Sequence, residues 1–431
     1  MELSERASVS VISTAVRSDN ARMRVVNSES DLVSRLQSFL SSATRVESIE
    51  ISGRETPRYI GEFWTSKQRQ AASISEISYR ACFKPQLPRF FIELLTQKND
   101  TVYDPFSGRG TTVIEAGLLG RNIIANDANP LSAILARPRF SPPDLARLET
   151  RLAALPFDKE FETETDLSMF FHPQTLTEIV SIRNYLEEQR KTGHEDDIDQ
   201  WIRMVASNRL TGHSAGFFSV YTLPPNQAVS PESQIKINRR LQQEPEYWDT
   251  KRIILKKTQS LLRNLTEAQR RNLWIAADSG TFLTKDAADT REIASESVQL
   301  TVTSPPFLDV VQYSNDNWLR CWFNSLDVET ISKQITVSRN IEDWRKKMSG
   351  VFKELFRVTR PGGWVAFEVG EVRNGKINLD EHVVPLGLEA GFGCAGILIN
   401  QQTFTKTANI WGIKNNKSGT NTNRIVLFRK G

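Results

Sequence analysis

The sequence predicts an α/β fold in which helices cover both faces of a central, mostly parallel sheet. Residues 102–112 run from a short apolar segment into a turn with two glycines, and residues 113–119 continue as an amphipathic helix. Residues 121–127 are a second short apolar segment, which ends in Asp127. This order of strand, glycine-rich loop, helix and acid-tipped strand is typical of a βαβ unit whose second carboxylate binds ribose hydroxyls.

The loop between the first strand and its helix has the features of an anion site. Gly108 and Gly110 allow the backbone to approach a ligand closely, and the first N–H groups of the helix favour a carboxylate or a phosphate. The segment Asp104-Pro105-Phe106 does not complete the Gly-x-Gly-x-x-Gly pattern of dinucleotide sites. We therefore predict a nucleotide-like cofactor that need not be a dinucleotide.

A further strand is predicted at residues 298–302, because this run is rich in β-branched residues and too short for a helix. Pro305 and Pro306 must end it, since proline lacks an N–H and fixes φ. The carbonyls of Ser304 and Pro305 then become acceptors at the sheet edge where open α/β proteins bind ligands. With the ring of Phe307 beside them, they suit a planar amine such as an extruded nucleobase.

Together these two motifs resemble those of the amino-group DNA methyltransferases, which use S-adenosylmethionine to methylate N4 of cytosine or N6 of adenine. The motifs are Asp-Pro-Phe-x-Gly-x-Gly-Thr-Thr from Asp104 and Thr-Ser-Pro-Pro-Phe from Thr303. The resemblance extends over roughly residues 57–430 and is strongest at residues 79–88, 104–112, 127, 303–307 and 358–364. It implies a Rossmann-like class I methyltransferase fold with a largely helical inserted module.

The resemblance also implies roles for individual residues. The catalytic residues would be Ser304, Pro305, Pro306 and Phe307. The cofactor S-adenosyl-L-methionine would be bound by Phe83, Lys84, Pro85, Asp104, Pro105, Phe106, Gly108, Gly110, Thr111, Thr112, Asp127, Asp278 and Ser304. No metal is expected.

We divide the chain into four segments. Residues 1–56, with one predicted helix at 30–42, are interpreted as an N-terminal extension. Residues 57–142 and 271–431 are predicted to form the cofactor-binding and catalytic parts of the methyltransferase core. Residues 143–270 change to helical repeats and are interpreted as an insertion, the candidate target-recognition region. In the second part of the core, strands are predicted at 273–279, 364–369 and 424–428, and the resemblance implies that Asp278 meets the adenine amino group of the cofactor.

Substrate contacts are predicted in two places. Residues 222–230 interrupt the helical insertion, and Asn226 and Gln227 there could read an adenine edge, with a plain turn as the alternative. Tyr313 could wall the base pocket, with a buried, hydrogen-bonded tyrosine as the alternative. Phosphate binding or a solvated helix face would explain the basic tract of Lys236, Arg239, Arg240, Lys251, Arg252, Lys256 and Lys257.

Composition sets broad limits. The chain of 431 residues is 39% hydrophobic and 25% charged, as in ordinary globular proteins. No apolar run approaches the length of a membrane span, and the first residues do not resemble a signal peptide. The scattered Cys82, Cys321 and Cys394 have no metal-site spacing and favour a cytoplasmic location. A net charge of +4 gives only weak support for a polyanionic partner.

The residues favour direct transfer to an exocyclic amine. Its lone pair is delocalised into the ring, so acceptance of its two protons by Ser304 and the Pro305 carbonyl would make the nitrogen nucleophilic. Methylation at C5 of cytosine needs a cysteine nucleophile, and no cysteine here has the expected Pro-Cys setting after a strand. Ser304 resembles the first catalytic residue of the cytosine N4 enzymes more than that of the adenine N6 enzymes, which are the runner-up.

Double-stranded DNA is therefore the expected partner, in a prokaryotic restriction-modification or defence system whose nuclease would be a separately encoded chain. An RNA methyltransferase could share both motifs, although no RNA-binding appendage is recognisable. A non-catalytic, methylase-like binding module would show damage at Gly108, Gly110, Asp127 or Ser304, and none is visible.

Overall fold

The structure is a computed structural model that describes residues 45–61, 63, 71–79, 83–157, 165–222, 228–306, 313–335, 340–372, 377–401 and 422–431. Its centre is a nine-stranded sheet with the order β1-β2-β10-β11-β7-β6-β3-β4-β5. These strands are β1 (Arg45–Ile51), β2 (Arg54–Gly61), β3 (Thr101–Asp104), β4 (Asn122–Asn126), β5 (Thr281–Leu283), β6 (Val298–Thr303), β7 (Thr359–Val369), β10 (Gly393–Gln401) and β11 (Thr422–Arg429). A separate ribbon pairs β8 (Glu371–Val372) with β9 (Ile377–Asn378).

Five neighbouring strands, from β5 to β7, run parallel. Beyond them β11 is antiparallel to both β7 and β10. The chain order reverses at β3, because β4 and β5 lie on one side of it and β6 and β7 on the other. Open α/β sheets bind ligands at such a switch point. The predicted Rossmann-like class I methyltransferase fold, with its mostly parallel sheet, is confirmed.

Helices cover both faces of the sheet. On one face Trp344, Phe352 and Leu379 pack with apolar strand residues into one core, and on the other Phe91 and Ile114 belong to a second, larger core. The helices are α1 (Gln86–Leu95), α2 (Thr111–Leu118), α3 (Leu131–Ala136), α4 (Leu145–Ala154), α5 (Pro173–Thr192), α6 (Asp197–Arg209), α7 (Pro231–Leu241), α8 (Thr250–Leu262), α9 (Glu267–Asp278), α10 (Tyr313–Phe323), α11 (Val328–Gln334), α12 (Ile341–Val358) and α13 (Leu379–Ala390).

The predicted helical module separates β4 from β5 and contains helices α4 to α8. In the described part of this segment there is no strand, apart from an isolated bridge between Gly212 and Tyr221. The helix α6 begins at a capping box, in which Asp196 accepts from the backbone N–H of Asp199 and the Asp199 carboxylate accepts from that of Asp196.

The strand predicted at residues 273–279 is wrong, because these residues belong mainly to helix α9. The helix begins at a second capping box, in which Gln269 N–H donates to the Thr266 hydroxyl over 3.2 Å and Thr266 N–H donates to the Gln269 side chain over 3.0 Å. The strand that follows, β5, is only three residues long. Asp278 therefore ends a helix and not a strand.

The boundary predicted at residue 56 falls inside β2, which pairs with β1 and also, in parallel, with β10. Asp380 helps to hold this hairpin, because it binds Arg58 of β2 and Arg424 of β11, each over 3.0 Å. The strands predicted at 364–369 and 424–428 are confirmed as parts of β7 and β11. The helix predicted at 30–42 lies outside the described residues.

Two searches of the described residues gave negative results. No helix is both long and apolar enough to cross a membrane. No group of three or more histidine, cysteine, aspartate or glutamate side chains is placed to hold a metal ion.

Candidate active site

A cleft of about 1030 Å³, including the space open to solvent, lies at the C-terminal edge of the parallel strands. The loops after β3, β4, β5 and β6 all contribute to it, as expected for a switch point. It is lined by Tyr79, Phe83, Asp104, Pro105, Phe106, Ser107, Gly108, Thr111, Asp127, Ala128, Asn129, Lys285, Asp286, Ala287, Ser304, Pro306, Ile335, Trp344, Lys347, Met348 and Val351.

The glycine loop turns tightly at Gly110, whose φ of +79° lies in the left-handed region. Its N–H donates to the Ser107 carbonyl over 2.6 Å, and the residue caps helix α2. A Cβ atom at this position would lie 2.6 Å from the Ala136 Cβ atom. Glycine is therefore required both by the backbone conformation and by the close approach of α3.

Asp127 follows β4 and faces this loop across the cleft. One carboxylate oxygen accepts from the Gly108 N–H over 2.8 Å and the other accepts from the Asn129 N–H over 2.9 Å. Burial raises the pKa of Asp127 to about 6, and the two backbone hydrogen bonds oppose this rise. The carboxylate is thus fixed in place, and each oxygen keeps a lone pair for a ligand hydroxyl.

Asp104 connects the glycine loop to the strand that carries the Ser304 motif. Its Oδ1 atom accepts from the Thr303 hydroxyl over 2.6 Å and from the Phe106 N–H over 3.2 Å. Burial raises the pKa of Asp104 to about 7, against the hydrogen bonds from Thr303, Phe106 and Thr112 and together with the charge of Asp127. Thr303 and Asp104 are 199 residues apart in the sequence, so this hydrogen bond brings the two motifs together in one site.

Ser304 rests on a buried carboxyl group. Its side chain is hydrogen-bonded to Glu368 near the end of β7, and Glu368 also accepts from the Asn423 amide of β11. Burial raises the pKa of Glu368, and the hydrogen bonds from Asn423 and Ser304 oppose this rise.

The Pro306 carbonyl is already occupied, since Trp344 Nε1 donates to it over 2.9 Å. Among the residues that the structure describes, none donates to the carbonyls of Ser304 and Pro305. The Ser304 hydroxyl and the Pro305 carbonyl are therefore the acceptors at this motif that the proposal below uses.

The acid that lines the cleft after β5 is Asp286, not Asp278. Burial raises the pKa of Asp286, but the hydrogen bonds from Lys347 and from the Ala288 N–H, together with the Lys347 charge, bring it below its ordinary value. Lys347 on α12 lies 2.8 Å from its carboxylate. The short strand β5 and the capping box before α9 are the sequence signals that could have identified Asp286.

The other predicted site residues divide into three groups. Phe83, Asp104, Pro105, Phe106, Gly108, Thr111, Asp127, Ser304 and Pro306 line the cleft. Outside the lining are Lys84, Pro85, Gly110, Thr112, Pro305 and Asp278. Phe307, Asn226, Gln227 and the side chain of Tyr313 lie outside the described residues.

Sequence reasoning did not single out the contributions of Ser107, Lys285, Asp286, Trp344 and Lys347 to the cleft. Trp344 and Lys347 are on α12, which is brought to the site by its packing on the sheet. Their positions depend on tertiary structure and have no local signal.

The strand order and the cleft define a Rossmann-like fold with a nucleotide-type site at its switch point. Residues 19–133 match a family model described as DNA methylase. This match includes the glycine loop and Asp127 and ends before the Ser304 motif.

Two curated proteins are similar to parts of the chain. The Type II methyltransferase M.MvaI of Kocuria varians is 24% identical over 171 residues, which are 35% of this chain and 37% of that protein. The Type II methyltransferase M.MjaII of Methanocaldococcus jannaschii is 31% identical over 71 residues, which are 16% of this chain and 13% of that protein. The chain thus matches well under half the length of either relative.

One solved structure, the rRNA methyltransferase aviRa from Streptomyces viridochromogenes, is 14% identical and has a TM-score of 0.35, covering 85% of this chain and 94% of that one. At this TM-score the likeness indicates nothing further about the chain.

Proposed function

We propose that this protein is an S-adenosylmethionine-dependent DNA methyltransferase that methylates N4 of cytosine in double-stranded DNA. The observation that carries the proposal is the Thr303–Asp104 hydrogen bond of 2.6 Å, which joins the glycine loop to the strand that ends at Ser304. The match of residues 19–133 to a DNA methylase family and the similarity to two Type II methyltransferases support it.

The residues of the cleft suit the cofactor. Asp127, held by two backbone N–H groups, would bind the ribose hydroxyls, and Asp286, which lines the same cleft, would accept from the amino group of the adenine. Phe106 and Met348 provide apolar surface between polar groups, as in other ligand sites. When bound, S-adenosylmethionine supplies a methyl group activated by a sulfonium.

The Ser304 motif would activate the exocyclic amine. Ser304 and the Pro305 carbonyl accept its two N–H bonds, so that the nitrogen lone pair leaves the ring system and points toward the methyl carbon. Glu368 orients the Ser304 hydroxyl, because an ionised carboxyl can only accept a hydrogen bond from it. The nitrogen would bond to the methyl carbon as the bond from that carbon to sulfur breaks, and solvent would take the proton that the amine loses. This step needs positioning and electrostatic preorganisation and no covalent enzyme intermediate.

The target base must leave the double helix to reach an acceptor turn at the bottom of a cleft, so we propose base flipping. Phe307 would then stack on the base, which is worth roughly 1–3 kcal/mol in comparable stacks. We favour cytosine over adenine on the resemblance of Ser304 to the first catalytic residue of the N4 enzymes. The surrounding system would be restriction-modification or defence, in a prokaryotic cytoplasm, with any nuclease on a separate chain.

The test is to identify the modified nucleoside. The protein is incubated with unmethylated DNA and labelled S-adenosylmethionine, and the DNA is digested and separated. N4-methylcytosine is the expected product. N6-methyladenine would select the runner-up, and label in RNA alone would overturn the assignment to DNA. Cofactor binding without any transfer would indicate a non-catalytic module.

A further inference from the structure

A group of positive charges lies beside the cleft, between the helical insertion and the catalytic half of the core. It consists of Arg209 at the end of α6, Lys257 on α8 and Arg320 on α10, which we call the cation cluster. Tyr79 connects it to the cleft, because the Arg320 guanidinium carbon lies 5.7 Å from the centre of the Tyr79 ring, and Tyr79 itself lines the cleft.

Arg209 is buried without a counter-charge. Only 9% of the residue is exposed. Nε donates to the Asn208 carbonyl over 3.0 Å and Nη2 to the Asn208 side-chain oxygen over 2.8 Å, and the guanidinium carbon lies 3.9 Å from the centre of the Phe217 ring. Within the described part of the chain, no carboxylate pairs with Arg209, and Nη1 has no acceptor. A buried, unpaired charge is costly unless a ligand of opposite charge pairs with it.

Two other buried arginines near it are satisfied differently. Arg203, on the same helix, forms an ion pair with Glu195. Arg139 donates from three nitrogens to three backbone carbonyls. Arg209 thus differs from both in keeping a donor without an internal partner.

The Ser78 carbonyl links Arg320 to Arg209, because it accepts from Arg320 Nη2 over 3.2 Å and from the Asn208 amide, whose oxygen in turn accepts from Arg209. Burial, and then the charge of Arg320, lower the pKa of Arg209 to about 10. Burial and the charges of Arg209 and Arg263 lower the pKa of Lys257 to about 8, against an opposing effect of Glu76. Arg263 pairs with the Glu76 carboxylate. An added anion would relieve this repulsion.

The surroundings of Arg209 are preorganised. The Phe217 ring lies against the Arg209 guanidinium and 6.2 Å from the His213 ring, measured between ring centroids. A Cβ atom on Gly212 would lie 2.3 Å from the same phenyl ring, so the turn packs closely on it. The turn itself is exposed at His213, Ser214 and Ala215.

The chain beyond this turn is fixed to the helix that follows the Ser304 motif. The Ala228 N–H donates to the Asp316 carbonyl over 3.2 Å, and Trp318 Nε1 donates to the Val229 carbonyl over 3.1 Å. Asp316 and Trp318 belong to α10, as does Arg320. A ligand at the cation cluster would therefore be held at a fixed position relative to the acceptor turn.

We propose that the cation cluster binds a backbone phosphate of the DNA strand that carries the target base. This inference rests on the proposed function. A phosphodiester brings one negative charge and two acceptor oxygens, which suit the Nη1 atom of Arg209, for which the described residues provide no acceptor. The carboxylate of the cofactor has related chemistry, and the test separates the two sources.

The test compares the full-length protein with its Arg209→Gln variant in binding to an unmethylated duplex, with S-adenosylhomocysteine present so that no transfer occurs. Affinity is measured from about 0.05 to 0.3 M salt. Removal of one phosphate contact should make the negative slope of log K against log salt shallower by about 0.9, while the affinity for S-adenosylhomocysteine stays the same. Arg190→Gln is the matched control, because it removes one exposed positive charge from the same insertion, where Arg190 pairs with Glu187 over 2.7 Å.

Arg209→Lys keeps the positive charge and should keep most of the salt slope. Comparison with Arg209→Gln therefore distinguishes the loss of charge from a change in folding, and thermal unfolding is recorded for each variant. An unchanged slope in Arg209→Gln would overturn the inference, as would an equal loss in Arg209→Lys and Arg209→Gln. A selective loss of S-adenosylhomocysteine affinity would assign the cluster to the cofactor instead. If the unsubstituted protein itself fails to bind and methylate DNA, the proposed function fails. If it does both, and the salt slope of Arg209→Gln equals that of the unsubstituted protein, only this inference fails.

Discussion

At the scale of single residues, the proposed acceptor turn is in contact with a carboxyl group that the sequence motif does not contain. Glu368 is 5% exposed and is hydrogen-bonded to Ser304 and to Asn423. Ser304, Pro305 and the two glycines were predictable from the sequence, because prolines and glycines determine local backbone geometry. Glu368 was not, since only the pairing of β6 with β7, in which Thr303 faces Phe367, brings it beside Ser304.

The first prediction concerns Ser304→Ala, which removes one of the two proposed acceptors. Turnover should fall by about 100-fold, as is usual for the loss of one group that handles a proton, while cofactor affinity changes little. Single-turnover kinetics and cofactor titration measure the two effects. Ser297→Ala is the control, because Ser297 is exposed at the opposite end of the same strand and binds only the Ala294 carbonyl, over 2.7 Å. Equal losses of turnover and cofactor affinity would contradict the role of Ser304.

The second prediction concerns the pH dependence of turnover. Ionised Glu368 is the form that accepts from Ser304, so turnover should rise with pH through the elevated pKa of Glu368. Turnover by the Glu368→Gln variant should be slower, and it should no longer rise with pH through this range. Loss of the charge should not lower the free energy of unfolding of Glu368→Gln at pH 8, because burial makes the ionised carboxyl costly in the folded state. Glu371→Gln serves as the control, since that carboxylate binds Thr422 over 3.0 Å, and a profile altered equally in both variants would refute the assignment.

At the scale of elements, the glycine loop is the part of the site in which sequence and structure agree most closely. Its signals are local, namely a short strand, a glycine with positive φ and a helix that starts at once. The consecutive apolar residues 273–277 of α9 favour a strand, whereas the capping box formed by Thr266 and Gln269 indicates the helix that is observed. Once residues 267–278 are assigned to a helix, the short apolar run of β5 becomes the next candidate strand, and Asp286 is the acid that follows it.

The third prediction concerns Gly110→Ala. A Cβ atom there meets a positive φ and an Ala136 Cβ atom at 2.6 Å, so we expect a loss of about 2–4 kcal/mol in the free energy of unfolding, together with weaker cofactor binding. Gly53→Ala is the matched control, because Gly53 also has a positive φ of +73° and would have no atom within 4 Å of its Cβ. Chemical denaturation compares the two, and equal losses would show that the close approach of α3 is unimportant.

At the scale of the whole molecule, the parallel part of the sheet carries the site, and four further strands with mixed pairing extend it. Asp380 is fully buried and holds two of these strands through Arg58 and Arg424. The mostly parallel sheet with helices on both faces followed from the resemblance. The addition of β1 and β2 at the far edge did not follow from it, because a hairpin that contains both polar and apolar residues does not indicate which strand it will pair with.

The fourth prediction concerns Asp380→Ala, which leaves two largely buried guanidinium groups without their shared partner. The free energy of unfolding should fall by about 3 kcal/mol, since removing one member of a buried ion pair exposes the cost of the other. Glu381→Ala is the control, because this more exposed residue also binds Arg58, over 3.0 Å, and should cost less than about 1 kcal/mol. Denaturant unfolding measures both, and similar losses would mean that burial of Asp380 contributes nothing.

The position of β11 has a consequence for biosynthesis. Residues 422–429 lie between β7 and β10, so β10 and the β1–β2 hairpin paired with it have no place in the sheet until these residues have left the ribosome. The earlier strands β3, β4, β5, β6 and β7 already form a contiguous parallel block. During translation the nascent chain therefore exposes the open edge of β7, and this edge is the point at which we expect chaperones to bind or aggregation to begin.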